Sequence, residues 1–573
     1  MVIQKLIAAS LLTIALCTVL CAQQPAPTPA PRKADEPVTT GVIDGRVVSE
    51  NGQSMAGATV FVRAVNASGA GRQTTTDIEG NFRVVGLEPA LYVVSAGAPA
   101  YTMAAPADPT TPTYYRIGDT VRIELMRGGA ITGTVTNALG EPVVAVRVRA
   151  TMIRDARGES PKLPVLISLE QPTDDRGIYR IYGLRPGTYI VSAGGSGFAY
   201  SFNPYDQDLP TYAPSASRDT AAEILVRSGE DSNIDIRYRG EPGHLISGTV
   251  KVANTNGSAV SLTQAGSPLQ LGNTYQPEGA RGFTFTGLGD GDYDIFAQEM
   301  ASNPNATTTP LFAVSEPKRV SIKGADVTGI ELSTRPLSSI SGKIALEPSK
   351  APECQGKRPP LFAEMVVRLQ KPEKEKDQED FLALRFTSGS ASPDASGAFQ
   401  LRNLVPGKYQ FEPRFYARYW YLQSITTTSG TPKPQKFDAA ANWMTVKSGE
   451  QLSNLTITLA QGAASIRGRV VVPEGAAPPA TPSLYLVPAE PDKVNDVLRY
   501  FVSDVGDDMT FTFNNLPPGR YLTYLDTQTT TLKKLRQPEA APERLKVRRG
   551  AETKKNEIEL KPCQNLADYQ LKP

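Results

Sequence analysis

Histidine is almost missing from this chain: His244 is the only one in 573 residues. A zinc peptidase centre, which needs two histidines and a carboxylate around an open coordination position, is therefore excluded by composition. Ser-His-Asp and Cys-His arrangements fall with it, unless His244 serves alone with a distant nucleophile. Charge of one sign is lacking too, since 60 Lys and Arg face 58 Asp and Glu for a net charge of +2. No extended basic face is implied, so nucleic acid is not an expected partner. The longest apolar run, Leu6–Leu20, has 15 residues, too short for a comfortable bilayer span of roughly 20, and no other stretch is long and apolar enough.

That one run has the layout of an export signal. Met1 to Lys5 carries a positive charge, the apolar stretch follows, and Cys21-Ala22-Gln23 breaks it. This predicts a signal peptide over 1–22, cleaved after Ala22, and a mature chain in the periplasm, associated with the outer membrane or secreted. Cys17 and Cys21 admit a lipoprotein reading, but each follows leucine where a small residue is expected. Gln23–Pro37 is a Pro/Ala-rich, polyproline-type spacer within a linker over 23–40. The mature chain keeps only Cys354 and Cys563. They are read most simply as isolated thiols, with a long-range staple as the alternative that an oxidising compartment permits.

Turn-formers are abundant, with 48 Gly and 47 Pro, and the apolar segments between them are short. This favours many small β-domains over one large α/β enzyme. A glycine–aromatic motif recurs five times, as Gly80-Asn-Phe82…Leu87-Glu-Pro89-Ala-Leu-Tyr92, Gly177-Ile-Tyr179…Leu184-Arg-Pro-Gly187-Thr-Tyr189, Gly282-Phe283…Leu288-Gly-Asp-Gly291-Asp-Tyr293, Gly397-Ala-Phe399…Leu404-Val-Pro-Gly407-Lys-Tyr409 and Met509-Thr-Phe511…Leu516-Pro-Pro-Gly519-Arg-Tyr521. A period of about 100 residues marks separate domains, whereas a solenoid repeats at about 20–50.

Each copy opens on an Ile-x-Gly-x-Val/Ile strand containing Gly45, Gly133, Gly248, Gly342 or Gly468. Each is expected to close on an alternating strand: Val121–Leu125, Ile234–Ile236, Ile330–Leu332, Leu455–Leu459 and Ile558–Leu560. The motif itself reads as a hairpin. Proline and glycine would make a type II turn, leucine would face the core, and the tyrosine hydroxyl would seek a backbone partner. The glycine inside the opening strand suggests a bulge or a close strand crossing. Ala90 and Met509 stand where glycine is expected, which predicts altered turns within an unchanged fold.

These residues, most specifically Thr173–Gly187 and Gly128–Val135, resemble carboxypeptidase regulatory-like repeats of multi-repeat bacterial envelope proteins. The resemblance covers about Gly41 to Leu560. It implies an all-β tandem array of about five transthyretin/prealbumin-like, seven-stranded Greek-key β-sandwiches of the carbohydrate-binding-like group. The expected boundaries are 41–127, 128–239, 240–334, 335–461 and 462–562, with a tail over 563–573. Few residues separate one module's last strand from the next module's first, so the modules should abut closely.

Several motifs mimic sites. Gly287-Leu-Gly-Asp-Gly291 imitates a phosphate loop but precedes a strand, where such loops need a helix N-terminus. Asp290, Asp292 and Asp294 alternate like a calcium loop without its required glycine and glutamate. Asp174-Asp175 precedes a β-turn and reads as turn chemistry. His244 enters the third opening strand, and Lys371–Asp380 is a mixed-charge solvated loop.

Two segments carry more aromatics than the repeat needs. In Arg414–Tyr421, alternation would set Tyr416, Arg418 and Trp420 on one face and Phe415, Ala417, Tyr419 and Tyr421 on the other. The second runs from Gly197 through Tyr205 to Tyr212. Each either packs on a neighbouring module or presents a ligand surface, for which Tyr416, Arg418, Trp420, Tyr205 and Tyr212 are the candidates. The expected function is a non-catalytic extracytoplasmic scaffold presenting its modules to an envelope or extracellular protein or glycan. No cofactor is expected. The alternative is carbohydrate binding, with Tyr416 and Trp420 stacking sugar rings.

Overall fold

Alternating strands with one apolar face bury that face best by pairing two sheets, and each repeat of this chain does so. The computed structural model describes residues 40–571, apart from 66–70, 105–112, 162–167, 196–202, 254–256, 266–269, 300–311, 373–388, 430–434, 472–481, 507 and 527–531. The signal peptide, nearly all of the Pro/Ala linker, the aromatics Phe198, Tyr200 and Phe202, and most of the charged insertion lie outside these residues. Strand follows strand in five β-sandwich modules, each with its own core cluster.

The first sheet of every module centres on the opening strand. In module 1, Gly41–Ser49 pairs antiparallel with Asn81–Leu87 and parallel with the closing strand Thr120–Arg127. The opening-strand glycine has a steric cause. A Cβ on Gly45 would lie 2.0 Å from the Val121 carbonyl oxygen, and one on Gly248 2.0 Å from that of Ile330. The corresponding distances are 1.9 Å at Gly133, 2.5 Å at Gly342 and 2.2 Å at Gly468, each to a carbonyl of the closing strand. The close crossing expected at this position is therefore present in all five copies.

The recurring motif is a corner between sheets and not a hairpin. Its glycine–aromatic strand (Asn81–Leu87, Ile178–Leu184, Gly282–Leu288, Ala398–Leu404, Thr510–Leu516) pairs with the opening strand. Its tyrosine strand (Tyr92–Gly97, Gly187–Ala193, Gly291–Glu299, Gly407–Phe415, Gly519–Asp526) instead pairs with the second strand of the module. That strand lies in the other sheet except in module 3, where Ala313–Ser315 joins the two layers into one eight-stranded sheet. The type II expectation fails with it. Gly187, Gly291, Gly407 and Gly519 have φ of 159°, 146°, 157° and 140°, far from the roughly +80° that turn demands.

The corner is held by three residues. Its leucines are 0–4 % exposed. Its five tyrosines each donate their hydroxyl to the carbonyl four residues back: Tyr92 to Glu88 (2.7 Å), Tyr189 to Arg185 (2.9 Å), Tyr293 to Gly289 (2.7 Å), Tyr409 to Val405 (2.6 Å) and Tyr521 to Pro517 (2.9 Å). Burial pushes the phenols of Tyr92, Tyr189, Tyr293 and Tyr521 up, that of Tyr293 to about 12, so they remain donors at neutral pH. The third residue precedes the leucine. Gly86, Gly183, Gly287, Asn403 and Asn515 have φ of 69°, 74°, 69°, 60° and 58°. Glycine and asparagine are the residues that tolerate this left-handed region, and each sits where the ladder to the opening strand slips register.

The two irregular copies differ from each other. At Ala90 the corner changes as expected: the tyrosine strand starts only at Tyr92, and its outer partner shrinks to a single bridge, Tyr92 to Tyr115. At Met509 the expectation fails, because the methionine itself takes the left-handed conformation (φ 62°) and keeps the turn bond from its N–H to the Gly506 carbonyl.

Module 5 departs from the sequence reading at its end. Ile558–Leu560 has the alternation of a closing strand, yet Glu557–Leu560 pairs with Gly519–Asp526 in the second sheet. The parallel partner of the opening strand Ala464–Val470 is Asn565–Leu571, within the stretch expected to be a tail. Alternation alone cannot separate two consecutive short strands. Between 532 and 554 the module also carries helices, Leu532–Leu535 and Ala541–Lys554, whose buried Leu535, Val547 and Ala551 pack on Tyr485, Val487 and Tyr500. Among the described residues no helix is long and apolar enough to cross a membrane.

Candidate functional site: the aromatic segments at the module joints

The closing strand of one module runs almost directly into the opening strand of the next, with only Gly128 between modules 1 and 2 and only Leu337 between modules 3 and 4. Joints this short force the corner of each module against its predecessor. The left-handed residue meets it every time. A Cβ on Gly128 would lie 2.5 Å from Gly183 Cα, and one on Gly287 would lie 2.6 Å from the carbonyls of Asp206 and Asp208. Asn403 Oδ1 accepts the Phe312 N–H at 2.8 Å, and Asn515 Nδ2 donates to the carbonyls of Ala417 and Trp420 at 2.7 Å each. Where backbone meets backbone the residue is glycine. Where a gap remains, an asparagine amide fills it.

Both aromatic segments belong to such joints. Strand Gly407–Phe415 ends before Tyr416, a turn covers Arg418 and Tyr419, and a new strand starts at Trp420. The turn breaks the alternation expected across 414–421. Trp420 points inward and is 2 % exposed in the core with Tyr409, Ile425 and Leu459. It cannot act as a stacking platform. Tyr416 and Arg418 remain exposed, but Tyr416 already has company: the Arg116 guanidinium of module 1 lies 4.9 Å from its ring centre. Arg418 leans 5.9 Å over Tyr419, whose other neighbour is Lys357 at 4.8 Å. The Tyr419 carbonyl accepts the N–H groups of Gly462 and Ala463, which join modules 4 and 5.

In the second segment, Asn203 caps a short 3-10 turn over Pro204–Gln207. Tyr205 packs on the module 2 core, edge-on to Tyr238 at 5.5 Å. The turn's outer side docks on module 3, with Thr286 Oγ1 donating to the Asp206 carbonyl at 3.2 Å and the Gly243 N–H to that of Gln207 at 3.0 Å. Tyr212 lies on the two-residue strand Thr211–Tyr212, close enough to Tyr293 of module 3 to raise that phenol's pKa. Its own phenol is pushed up by burial, with Arg218 and Arg149 pulling the other way. The structure therefore divides the candidates. Tyr205 and Tyr212 serve the joint between modules 2 and 3, Trp420 serves the core of module 4, and Tyr416 and Arg418 are exposed on module 4.

The joint between modules 4 and 5 has a covalent part that the isolated-thiol reading missed. Cys354 and Cys563 form a disulfide with Cα atoms 5.4 Å apart, across a sequence separation of 209. Cys354 follows the module 4 opening strand, and Cys563 lies in the turn before the module 5 closing strand. The Cys563 N–H donates to the Gly462 carbonyl, and Gln461 Nε2 donates to that of Cys354. Only the folded joint brings the two together, so spacing could not reveal the pair.

The mimics of reactive sites have structural partners. Gly287 is the close-approach residue of the second joint. Asp290 accepts the Gly324 N–H, Asp292 the Ser321 hydroxyl, and Asp294 pairs with Arg319. Asp174 accepts the N–H groups of Arg176 and Ile178, which hold its carboxyl below the usual range, Ile178 foremost. His244 stands 3.6 Å from Asp326 and 3.8 Å from Asp290. Among the described residues no three His, Cys, Asp or Glu side chains cluster to hold a metal ion.

Residues 42–115 match the model of the carboxypeptidase regulatory-like domain. The resemblance read from the sequence is thus shown for module 1, and the shared corner carries the same β-sandwich plan through all five. No curated protein matches the chain. Among solved structures, the Bacillus anthracis TIE protein is similar at 13 % identity, over 74 % of this chain and 75 % of that one, with a TM-score of 0.15. The minor pilin GBS52 of Streptococcus agalactiae is 12 % identical over 35 % of this chain and 96 % of its own (TM-score 0.19). Two B repeat units of the collagen binding protein of Staphylococcus aureus are 11 % identical over 74 % and 99 % (TM-score 0.13).

Proposed function

We propose that this chain is an exported, non-catalytic scaffold whose docked β-sandwich modules hold binding loops at set positions, presented to an envelope or extracellular protein or glycan. The observation that carries the reading is that the recurring residues are used up by folding. Glycines admit close strand crossings, tyrosines and leucines hold the corners, and left-handed residues make the joints. The disulfide supports export, since such a bond persists in oxidising compartments. Sugar stacking on Tyr416 and Trp420 has no support, because Trp420 is in the core.

The test is fractionation of cells producing the full chain, with alkylation of Cys354 and Cys563 before and after reduction. The account expects the mature protein outside the cytoplasm with both thiols protected until reduction. A cytoplasmic protein with two free thiols would overturn export. Robust peptidase or glycosidase turnover by the purified mature chain would overturn the non-catalytic reading.

A further inference from the structure

Tyr416 is exposed on module 4, yet the group lying over its ring comes from a segment 300 positions earlier. Arg116 of module 1 lies 4.9 Å from the ring centre, and the Tyr416 hydroxyl donates to the Tyr114 carbonyl at 3.4 Å. Neither module needs this contact to fold, because both residues lie outside the two core clusters. It differs in kind from the sequential joints, which use the corners.

Module 4 has a row of polar groups ready for that segment. Ser390, Arg368 and Glu412 stand side by side on three neighbouring strands, Ser390–Ala391, Met365–Gln370 and Gly407–Phe415. Glu412 is shared by Arg414, by Gln370 Nε2 at 2.6 Å and by Arg368 at 3.9 Å. The Tyr114 phenol lies on this row. Its hydroxyl is hydrogen-bonded to Ser390, and the charges of Arg368, Arg414 and Glu412 are felt at its oxygen. Arg368 is only 8 % exposed. Buried cations are retained where a counter-group faces them; Glu412 does so here at 3.9 Å, and the Tyr114 phenol lies near enough to feel the charge.

We propose that the Ser390–Arg368–Tyr416 face of module 4 is a recognition site for a Tyr-x-Arg segment, and that Tyr114–Arg116 of module 1 fills it within the same chain as a releasable clasp. The phenol hydrogen-bonds with Ser390 beside the charge of Arg368. The guanidinium, two residues on and so on the same side of an extended backbone, covers the Tyr416 ring. Release uncovers Tyr416 and the arginine row for an external segment of the same chemistry. The clasp thereby controls access to one of the aromatics that the array leaves at its surface.

The test uses the full mature chain with Thr113→Cys and Arg418→Cys, exposed positions beside the contact, joined by a short bis-maleimide. The expected result is an intrachain cross-link whose rate is independent of protein concentration. Adding Tyr114→Ala and Arg116→Ala slows it at least fivefold, and Ser390→Ala slows it less. A synthetic Thr-Tyr-Tyr-Arg-Ile-Gly peptide slows it by competition, whereas the same peptide with alanine for the first tyrosine or the arginine does not. A rate unchanged by these substitutions, or cross-links formed only between chains, overturns the clasp. Failure of the peptide to compete overturns the recognition site. The cross-linking rates report on the clasp whether or not the proposed scaffold role holds.

Discussion

The joints between modules 2 and 3 and between modules 4 and 5 solve one problem with different chemistry. In the first, Gly287 lets the backbone of the Asp206–Asp208 turn approach directly, and no covalent bond is involved. In the second, Asn515 reaches across with its amide, and the Cys354–Cys563 bond locks the contact. Both residues hold the same left-handed conformation before a corner leucine. The backbone device is thus fixed by the corner, while the side chain is free to adapt to the spacing of each neighbour. The first joint depends on a missing Cβ and the second on side-chain bonds, so they should fail under different substitutions.

The largest expected effect comes from the disulfide. Replacing both Cys354 and Cys563 by serine should lower the stability of the module 4–5 pair by about 2–4 kcal/mol, through the longer loop left open in the unfolded chain. Denaturant unfolding monitored by limited proteolysis should show this pair opening earlier while the modules 2–3 joint keeps its midpoint. Equal loss at both joints would break the contrast. Gly287→Ala comes next. The new Cβ would sit 2.6 Å from two carbonyls at φ +69°, and a cost of about 1–3 kcal/mol is expected. Faster cleavage between 203 and 243, with modules 4 and 5 untouched, is the predicted proteolytic pattern.

The smallest effect should be the same at both joints, because the corners share their tyrosine. Tyr293→Phe and Tyr521→Phe each remove one hydrogen bond to a corner carbonyl, at about 1 kcal/mol. A pH dependence accompanies it. The Tyr293 pKa is raised by burial to about 12 from an unfolded value of 10. The stabilisation it provides is therefore complete below pH 10 and is lost as the pH rises toward 12. Thermal melting in alkali should fall less steeply for Tyr293→Phe than for the parent chain. Identical slopes would mean that the phenol is not held as described.

How much of this was legible depended on what leaves a periodic trace. The modules, their opening strands and the crossing glycines all recur, so repetition exposed them. The corner was visible as Leu-x-Pro-Gly-x-Tyr, but its direction was not. A turn within one sheet and a step between two sheets use the same residue types, and only pairing partners separate them. Gly or Asn before the leucine was present in all five copies and went unread, although its tolerance of positive φ was the available signal. The closing strand of module 5 was misplaced because Ile558-Glu-Leu560 alternates as well as Asn565–Leu571 does. Trp420 was misassigned because alternation was carried through a turn. The choice left open for the aromatic segments, joint or ligand surface, falls to the joint for Tyr205 and Tyr212 and divides at Tyr416.

The central claim is that, in modules 2 to 5, the left-handed residue before the corner leucine is a joint as well as a fold element. Asn515→Gly tests it most directly, because glycine keeps the backbone conformation and removes only the amide bonds to Ala417 and Trp420. Hydrogen exchange followed by mass spectrometry should show protection lost over about 416–421 and 461–464, with the strands Ser483–Pro488 and Gly519–Asp526 of module 5 still protected. Protection lost throughout the module 5 core, or unchanged at the joint, would contradict the account.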